Sequence, residues 1–311
     1  MKIVQERNFT VIERFLHCNF SSPTHWPDWN IIVSKYFNTE FFYFCAYQKD
    51  ELIGICPVHK EKKGLLTYYK SGQFQYIPFG GWIFSKEIDI SSFRLPISSL
   101  SQFQSFCLPL LTEFKNLGES AAYANFSTLV IDLSDDLDSI WTQQLNAKRR
   151  NMIRKAEKSG VEIDLNCDIE NFYSIYKDAN TRLGLNIHKK SLFYDLMNES
   201  RNIRFEIISA KLNGEYLANV VIVFDKNYSI YWLGNSLINA RNLGQGELLQ
   251  WTTIKRMKET GCRYYDLCYI EKERLPSIYK FKSGFSKNEV IIPLINKKSF
   301  LFRVLNKPFK V

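Results

Sequence analysis

The segment RNLGQG, residues 241–246, lies between a predicted strand that ends at Gly234 and a predicted helix that begins at Gly246. Its two glycines allow the backbone to approach a phosphate closely, and the free N–H groups of a helix N-terminus attract anions. Arg241 adds a guanidinium that can donate two hydrogen bonds to a phosphate. The pattern predicts either an anion-binding loop with Arg241, Gly244 and Gly246, or a glycine-rich turn that only starts a helix.

The elements predicted around this loop form a mixed α/β (α+β) pattern. A three-strand meander precedes the loop, with Asn213-Gly214 at its first turn, a pair preferred in tight hairpins. The second half of the chain is predicted as a strand at 128–133, a helix at 137–158, a strand at 161–165, helices at 169–182 and 189–200, strands at 203–211, 216–224 and 228–234, a helix at 246–260, and strands at 263–268 and 290–294. The first half shows a weaker meander at 41–47, 52–59, 65–69 and 75–84, followed by a predicted helix at 98–116.

The composition is that of a basic globular protein. Of the 311 residues, 45% are hydrophobic and 23% are charged, and the net charge is +9. This charge favours polyanionic partners, such as tRNA, the phosphates of coenzyme A or of a nucleotide sugar, or an anionic membrane face; a lysine-rich surface that serves solubility gives the same number. Without a signal peptide or an apolar run of roughly 20 residues, the chain is expected to be cytoplasmic, with at most a peripheral contact to the inner membrane face.

Several common kinds of site have no counterpart in this sequence. The glycine pattern differs from the P-loop and from the dinucleotide-binding fingerprint, and no G-x-S-x-G nucleophile elbow occurs. The four histidines and seven cysteines show neither C-x-x-C nor H-x-x-x-H spacing, so no metal site is predicted.

The loop resembles the acyl-donor loop of GNAT acetyltransferases. In that family the pattern Q/R-x-x-G-x-G/A follows a β meander and opens a helix, and its backbone amides hold the pyrophosphate of coenzyme A. The matching positions here are Arg241, Gly244 and Gly246. The resemblance therefore implies an acyl-CoA donor bound at this loop.

Further segments resemble the FemAB-like branch of the same superfamily. Residues 148–161 resemble its K-x-R-x-x-I-R-K-A-x-x-x-G-V helix, and 181–184, 231–235, 261–267 and 278–285 resemble later motifs in the same order. The resemblance implies two tandem GNAT-like domains, at 1–125 and 126–311, each with a mixed, largely antiparallel sheet flanked by helices. It also implies acyl-CoA or aminoacyl-tRNA as donor, and an amine of a cell-envelope polysaccharide or peptidoglycan-type precursor as acceptor, lipid-linked or nucleotide-linked.

Three residues in these motifs are candidates for catalysis. Attack of an amine on an ester or thioester requires a neutral amine, a stabilised oxyanion and a held leaving group. Asp266, at the end of a predicted buried strand, can accept the proton or orient the amine; it is equally a structural carboxylate that caps a loop. Lys282 can stabilise developing negative charge, and Tyr231 can relay a proton, although each can also be an ordinary surface or core residue.

Two basic segments suggest contacts with polyanions or with a membrane. Arg150 and Arg154 share one face of the basic helix and are candidate substrate-binding residues, together with Trp26, Trp29 and Phe281. The tail 297–311 interleaves five basic residues with apolar ones and has no acidic residue. It either lies on an anionic membrane surface or packs on the domain. The alternative to an enzyme is a non-catalytic, RNA-binding protein on a GNAT-like scaffold.

Overall fold

The computed structural model describes residues 1–72, 77–86, 88, 94–108, 121–238, 243–270, 272–273 and 275–305, with the backbone alone at 121–126. By internal packing, the chain divides into two compact units. Unit 1 comprises Met1–Phe126 and Ile291–Val311, and unit 2 comprises Ser127–Val290. Residues 291–305 therefore pack with the N-terminal unit, whereas the sequence analysis assigned them to the second domain. The reason is that the final strand pairs with a strand of unit 1.

Unit 1 is a mixed sheet with helices that precede its central strands. The helices are α1 (Phe9–Cys18) and α2 (Pro27–Phe37), joined by a short 3-10 turn at Pro23–His25. The strands are β1 (Lys2–Glu6), β2 (Glu40–Gln48), β3 (Glu51–Lys63), β4 (Leu66–Ser71), β5 (Ile83–Phe84) and β6 (Ser101–Phe106), completed by residues 294–298 of β13 (Glu289–Lys298). The neighbour order is β1-β2-β3-β4-β6-β13, with β5 on β3. Only the β4–β6 pair within this order is parallel.

The helix predicted at 98–116 is wrong in its first part, where β6 occupies 101–106. Phe103 and Phe106 have helical spacing, but Ser101, Phe103 and Ser105 alternate as buried residues along an extended strand. Pairing with β4 on one side and β13 on the other gives this segment two ladders of hydrogen bonds, which a short apolar window cannot reveal. The predicted residues Leu110, Leu111 and Phe114 lie outside the described part of the chain.

Unit 2 contains a six-strand sheet with helices on its faces. Its strands are β7 (Ala121–Asp132), β8 (Glu162–Asp164), β9 (Arg204–Leu212), β10 (Glu215–Phe224), β11 (Tyr228–Ser236) and β12 (Tyr264–Asp266), in the order β7-β12-β11-β10-β9-β8. Its helices are α3 (Leu137–Ser139), α4 (Ala147–Lys158), α5 (Ile169–Leu183), α6 (Lys190–Glu199), α7 (Gln245–Glu259) and α8 (Pro276–Lys282). Only β11 and β12 pair in parallel among these strands. The prediction of mixed, largely antiparallel sheets flanked by helices is confirmed.

The single helix predicted at 137–158 is interrupted. A π-helical segment, Ile140–Gln144, follows α3, and Leu145 then adopts an extended backbone. Asn146 restarts the chain as the N-cap of α4, since its side chain accepts a hydrogen bond from the Arg149 N–H at 3.0 Å. The break turns α4 so that it can pack along α7, with Ile153 and Ala156 buried in the core of unit 2.

A β-bulge interrupts the pairing of β10 with β11. Val221 faces Leu233 but Ile222 faces Tyr231, so Trp232 is the extra residue on β11. The bulge lies directly before the end of β11 that leads to the 241–246 loop. None of the helices in the described ranges is long and apolar enough to span a membrane.

Candidate functional site

A cavity of about 460 Å³ opens in unit 2 where α4, α7 and α8 meet β10 and β11. A volume of this size falls in the range of small-molecule sites. Its walls come from five elements and include, among others, Lys148, Arg149, Met152, Asn219, Tyr231, Gly234, Asn235, Ser236, Gly244, Gln245, Gly246, Glu247, Gln250 and Phe281. Four sequence candidates therefore meet in one place: Tyr231, Gly244, Gly246 and Phe281.

Gly244 is required by packing between helices. It is the residue before α7 and has a φ of +86°, a left-handed conformation that side chains rarely tolerate. A Cβ at this position would meet the Met152 carbonyl oxygen of α4 at 2.2 Å. The first glycine of the predicted loop thus serves the close contact of α7 with α4.

Gly246 lies in the first turn of α7 and lines the cavity. A Cβ there would only reach the Phe281 ring at 3.7 Å, an ordinary van der Waals distance. The first N–H groups of an α-helix have no acceptor within the helix, and none of the side chains that the structure describes caps α7. The N-terminus of α7 therefore presents backbone donors and a partial positive charge to the cavity. Arg241, the third predicted ligand, lies outside the described residues.

The buried cation of the site is Arg149, which the sequence analysis did not single out. Its guanidinium donates to the Glu247 carboxylate at 2.6 Å and to the Lys280 carbonyl at 2.8 Å. It also lies over the Phe281 ring, 4.7 Å from the ring centre, and is only 6% exposed. Gly284 leaves it room, because a Cβ there would come within 2.5 Å of Nε. No signal in the sequence marks this residue, because Gly284 comes next to Arg149 only in the folded chain.

The floor of the cavity carries a buried hydroxyl and a buried amide. Tyr231 packs its hydroxyl onto Gly234, where an added Cβ would be 1.6 Å away. Burial raises the pKa of Tyr231 well above its usual value, so the hydroxyl keeps its proton. The side-chain oxygen of Gln250 accepts a hydrogen bond from the Tyr265 hydroxyl at 2.8 Å. A hydrogen bond with Gln250 opposes the rise in the pKa of Tyr231. The side-chain Nε2 of Gln250 is buried and has no acceptor of normal geometry among the described residues. A ligand carbonyl or hydroxyl can fill that role.

Lys282 and Asp266 lie beside Tyr231, outside the cavity wall. The Lys282 ammonium is 5.5 Å from the centre of the Tyr231 ring and donates to the carbonyls of Cys268 at 3.3 Å and Tyr269 at 3.4 Å. Lys282 is 8% exposed, and burial lowers its pKa. A buried ammonium with a lowered pKa next to a cavity is a candidate for stabilising negative charge or exchanging a proton.

Asp266 is completely buried and satisfied by hydrogen bonds. The hydroxyls of Thr128 and Tyr228 and the N–H of Cys268 all donate to its carboxylate. Burial nevertheless raises the pKa of Asp266 to about 6, and the Lys282 charge opposes that rise. Asp266 does not line the cavity, so the expected direct contact with an amine is absent from this arrangement, and the bond from the Cys268 N–H fits the alternative of a structural carboxylate that caps a loop.

Four predicted substrate-binding residues lie elsewhere. Arg150 donates to the carbonyls of Trp141, Thr142 and Leu145, where the π-helical segment ends, so its guanidinium is occupied by the backbone. Arg154 is exposed and lies over the Trp141 ring at 5.4 Å. Trp26 and Trp29 are each 1% exposed in unit 1. Their near-complete burial corrects the expectation that they present a surface to a substrate.

Comparisons with known proteins agree with this architecture. Residues 145–282 match the family described as "Acetyltransferase (GNAT) domain". The fold is similar to that of FemX, with 12% identity, 99% of this chain and 100% of that chain covered, and a TM-score of 0.69. It is also similar to a tandem GNAT protein from the clavulanic acid biosynthesis pathway, with 10% identity, 96% and 98% coverage, and a TM-score of 0.51.

A third similar structure is the C-terminal domain of a putative lysylphosphatidylglycerol synthetase from Agrobacterium fabrum, with 10% identity, 86% of each chain covered and a TM-score of 0.52. No curated protein sequence is significantly similar to the chain.

The family match covers most of unit 2 and includes every residue of the cavity wall, so the cavity lies within a GNAT-type acetyltransferase domain, and the match supports acyl transfer. Over nearly the full chain, the fold is similar to those of FemX and of the tandem GNAT protein, which agrees with the resemblance that the sequence motifs carry.

Proposed function

We propose that the protein transfers an acyl or aminoacyl group to an amine of a cell-envelope polysaccharide or peptidoglycan-type precursor. The observation that carries the proposal is the N-terminus of α7, which no side chain of the described residues caps and which opens onto the cavity at Gly246. Its backbone donors and partial positive charge suit the phosphates of an acyl-CoA or the terminal phosphates of an aminoacyl-tRNA. Unit 2 contains all of these groups.

The reaction assigns distinct roles to the groups around Tyr231. The acceptor amine attacks the acyl carbonyl, a C–N bond forms, and the C–S or C–O bond to the donor breaks. The protonated Tyr231 hydroxyl faces the cavity and can give its proton to the leaving thiolate or alkoxide, and it recovers one from the attacking amine. Lys282, 5.5 Å from the Tyr231 ring, stabilises the transient negative charge.

The acceptor class rests on the FemAB-like fold and on the net charge of +9. Envelope precursors carry phosphate through a nucleotide or a lipid carrier, so a basic protein would attract them from solution. Such precursors are assembled at the cytoplasmic face of the membrane, which is where we place the protein.

The RNA-binding alternative gains little support from the basic helix. Arg149 is buried against Glu247, and Arg150 is bonded to three backbone carbonyls, so neither guanidinium faces a polyanion. Of the arginines on α4, Arg154 alone is exposed. Charge reversal at Arg154 is therefore expected to leave donor binding intact.

Calorimetric titration with acetyl-CoA and, separately, with charged tRNA tests the proposal. Gly246→Val should abolish binding of whichever donor is used, because its methyl groups project into the cavity next to Phe281. Gly246→Ala is the matched control and should bind with only a modest loss. The bound donor is then offered amino-sugar and peptidyl amines, and amide formation is followed by mass spectrometry. If neither donor binds, or if Gly246→Val binds normally, the site assignment is wrong.

A further inference from the structure

The last helix in the described part of the chain, α9 (Phe300–Leu305), presents an apolar face that none of the described residues covers. Four of its six side chains are apolar and exposed: Phe300 at 77%, Leu301 at 43%, Val304 at 48% and Leu305 at 54%. At about 100° per residue, these four positions fall within one arc of roughly 140°. They therefore form a continuous stripe, and exposed apolar stripes of this kind mark interaction sites.

The opposite side of α9 anchors the helix to unit 1. Phe302 is fully buried and makes an edge-to-face contact with Tyr68 at 5.3 Å. Ser299 fixes the start of the helix, since its hydroxyl bonds to the Ser99 carbonyl and accepts from the Ser101 N–H at 3.1 Å. Because Phe302 and Ser299 fix α9 on unit 1, the apolar stripe on the opposite side faces solvent.

Positive charge surrounds the stripe. Lys297, Lys298 and Arg303 flank or interrupt it, and residues 297–305 contain no acidic residue. Beyond the buried Phe302, Lys63 and Lys70 each lie 5.7 Å from the centre of the Tyr68 ring. The nearby acid there, Glu61, forms ion pairs with both of these lysines at 3.2 Å.

We propose that α9 docks the protein onto an anionic lipid surface, with Phe300, Leu301, Val304 and Leu305 inserted among the acyl chains and the cations at the headgroups. An amphipathic helix rich in Phe and Leu and flanked by Lys and Arg binds at the membrane interface through both buried apolar area and attraction to anionic lipids. A protein partner or a second copy would need matching acidic groups, whereas an anionic membrane supplies negative charge everywhere. The proposal does not depend on the acyl-transfer activity.

Flotation of the full chain with vesicles tests this proposal. Vesicles of phosphatidylcholine with phosphatidylglycerol should bind the protein, vesicles of phosphatidylcholine alone should bind it weakly, and salt should weaken binding. Leu301→Ser with Leu305→Ser removes apolar contacts and should reduce binding about tenfold or more, since each buried CH₂ contributes substantially. Leu65→Ser is the matched control, because Leu65 is 78% exposed in the turn between β3 and β4.

The charge contribution needs its own control. Lys298→Glu with Arg303→Glu should reduce binding to anionic vesicles about tenfold or more. Lys158→Glu with Lys177→Glu changes the net charge equally on exposed positions of unit 2 and should bind nearly as the parent does.

Equal loss in both pairs of charge variants would overturn the proposal, because binding would then follow net charge and not α9. The proposal is also wrong if the parent protein does not bind anionic vesicles. It is wrong as well if the Leu301 and Leu305 variants still bind vesicles and lose only self-association, as measured by gel filtration. Donor binding measured on the same variants should remain intact, which separates this proposal from the proposed function.

Discussion

Asp266 accepts a hydrogen bond from the backbone N–H of Cys268 at 2.6 Å, and Cys268 has a φ of +64°. A left-handed conformation is costly for a residue with a side chain, so it persists only where the surroundings hold it. This turn aims the carbonyls of Cys268 and Tyr269 at the Lys282 ammonium. Asp266 therefore fixes the backbone whose carbonyls hold the Lys282 ammonium.

The raised pKa of Asp266 predicts a specific dependence of stability on pH. Burial raises the pKa from 3.8 to about 6, so the folded protein binds the proton more tightly than the unfolded chain does. The resulting stability is fully present below about pH 4 and is lost as the pH rises through 6. The free energy of unfolding should fall by roughly 3 kcal/mol over this interval from Asp266 alone.

Asp266→Asn isolates that contribution. Asparagine keeps the shape and cannot ionise, so the difference in unfolding free energy between parent and variant should change between pH 4 and pH 7 in urea titrations. A constant difference would show that Asp266 titrates normally. The variant should also lower kcat more than it raises KM, because it displaces Lys282 without touching a substrate.

Lys282→Met separates catalysis from stability. Methionine matches the length of lysine and removes a desolvated charge, so the thermal midpoint should be unchanged or higher. If Lys282 stabilises the transition state, kcat should fall by about 100-fold to 1,000-fold. Thermal unfolding and turnover on one preparation decide the matter, and normal turnover would make Lys282 a structural residue only.

The two glycines at the start of α7 should respond differently to alanine. Gly244→Ala combines a strained φ with a Cβ at 2.2 Å from the Met152 carbonyl, so it should cost about 1–3 kcal/mol or more. Gly246→Ala meets only the Phe281 ring at 3.7 Å and should change stability by less than about 1 kcal/mol. Urea denaturation of both variants measures this contrast. Equal losses would mean that the α4–α7 contact is not as close as the structure has it.

Periodicity and motif order predicted most of unit 2 from the sequence. The strands of the 203–234 meander and helix α7 appear within one or two residues of their predicted bounds, because long amphipathic runs and the Asn213-Gly214 turn encode them locally. The strand β6 was missed because its two ladders come from β4 and β13, the second nearly 200 residues away. Local propensity carries no record of such pairing.

Only part of the candidate site was predicted, because some of its contacts also join segments that are distant in the sequence. Tyr231, Gly244, Gly246 and Phe281 stood in motifs and do meet at one cavity. Arg149 stood among six basic residues of one helix, and nothing local distinguished it from its exposed neighbours. Only the fold sets Glu247 and Phe281 against it. Conversely, the sequence predicted Arg150 as a cation available to a substrate. In the structure its guanidinium donates to three backbone carbonyls at the interruption before α4.

Removal of the Arg149 side chain should lower the free energy of unfolding far more than neutralisation of its partner, Glu247. Arg149→Ala leaves the Glu247 carboxylate without its cation and the Lys280 carbonyl without its donor, at a place where the Arg149 and Glu247 side chains are only 8% and 13% exposed. Breaking a buried pair from one side typically destabilises by about 3–5 kcal/mol. Glu247→Gln should cost less, because its amide oxygen can still accept from the guanidinium. The double variant, Arg149→Met with Glu247→Gln, should recover part of the loss, since no charge remains unpaired. Urea denaturation of this cycle gives the coupling energy, and additive losses would show that the two side chains do not interact.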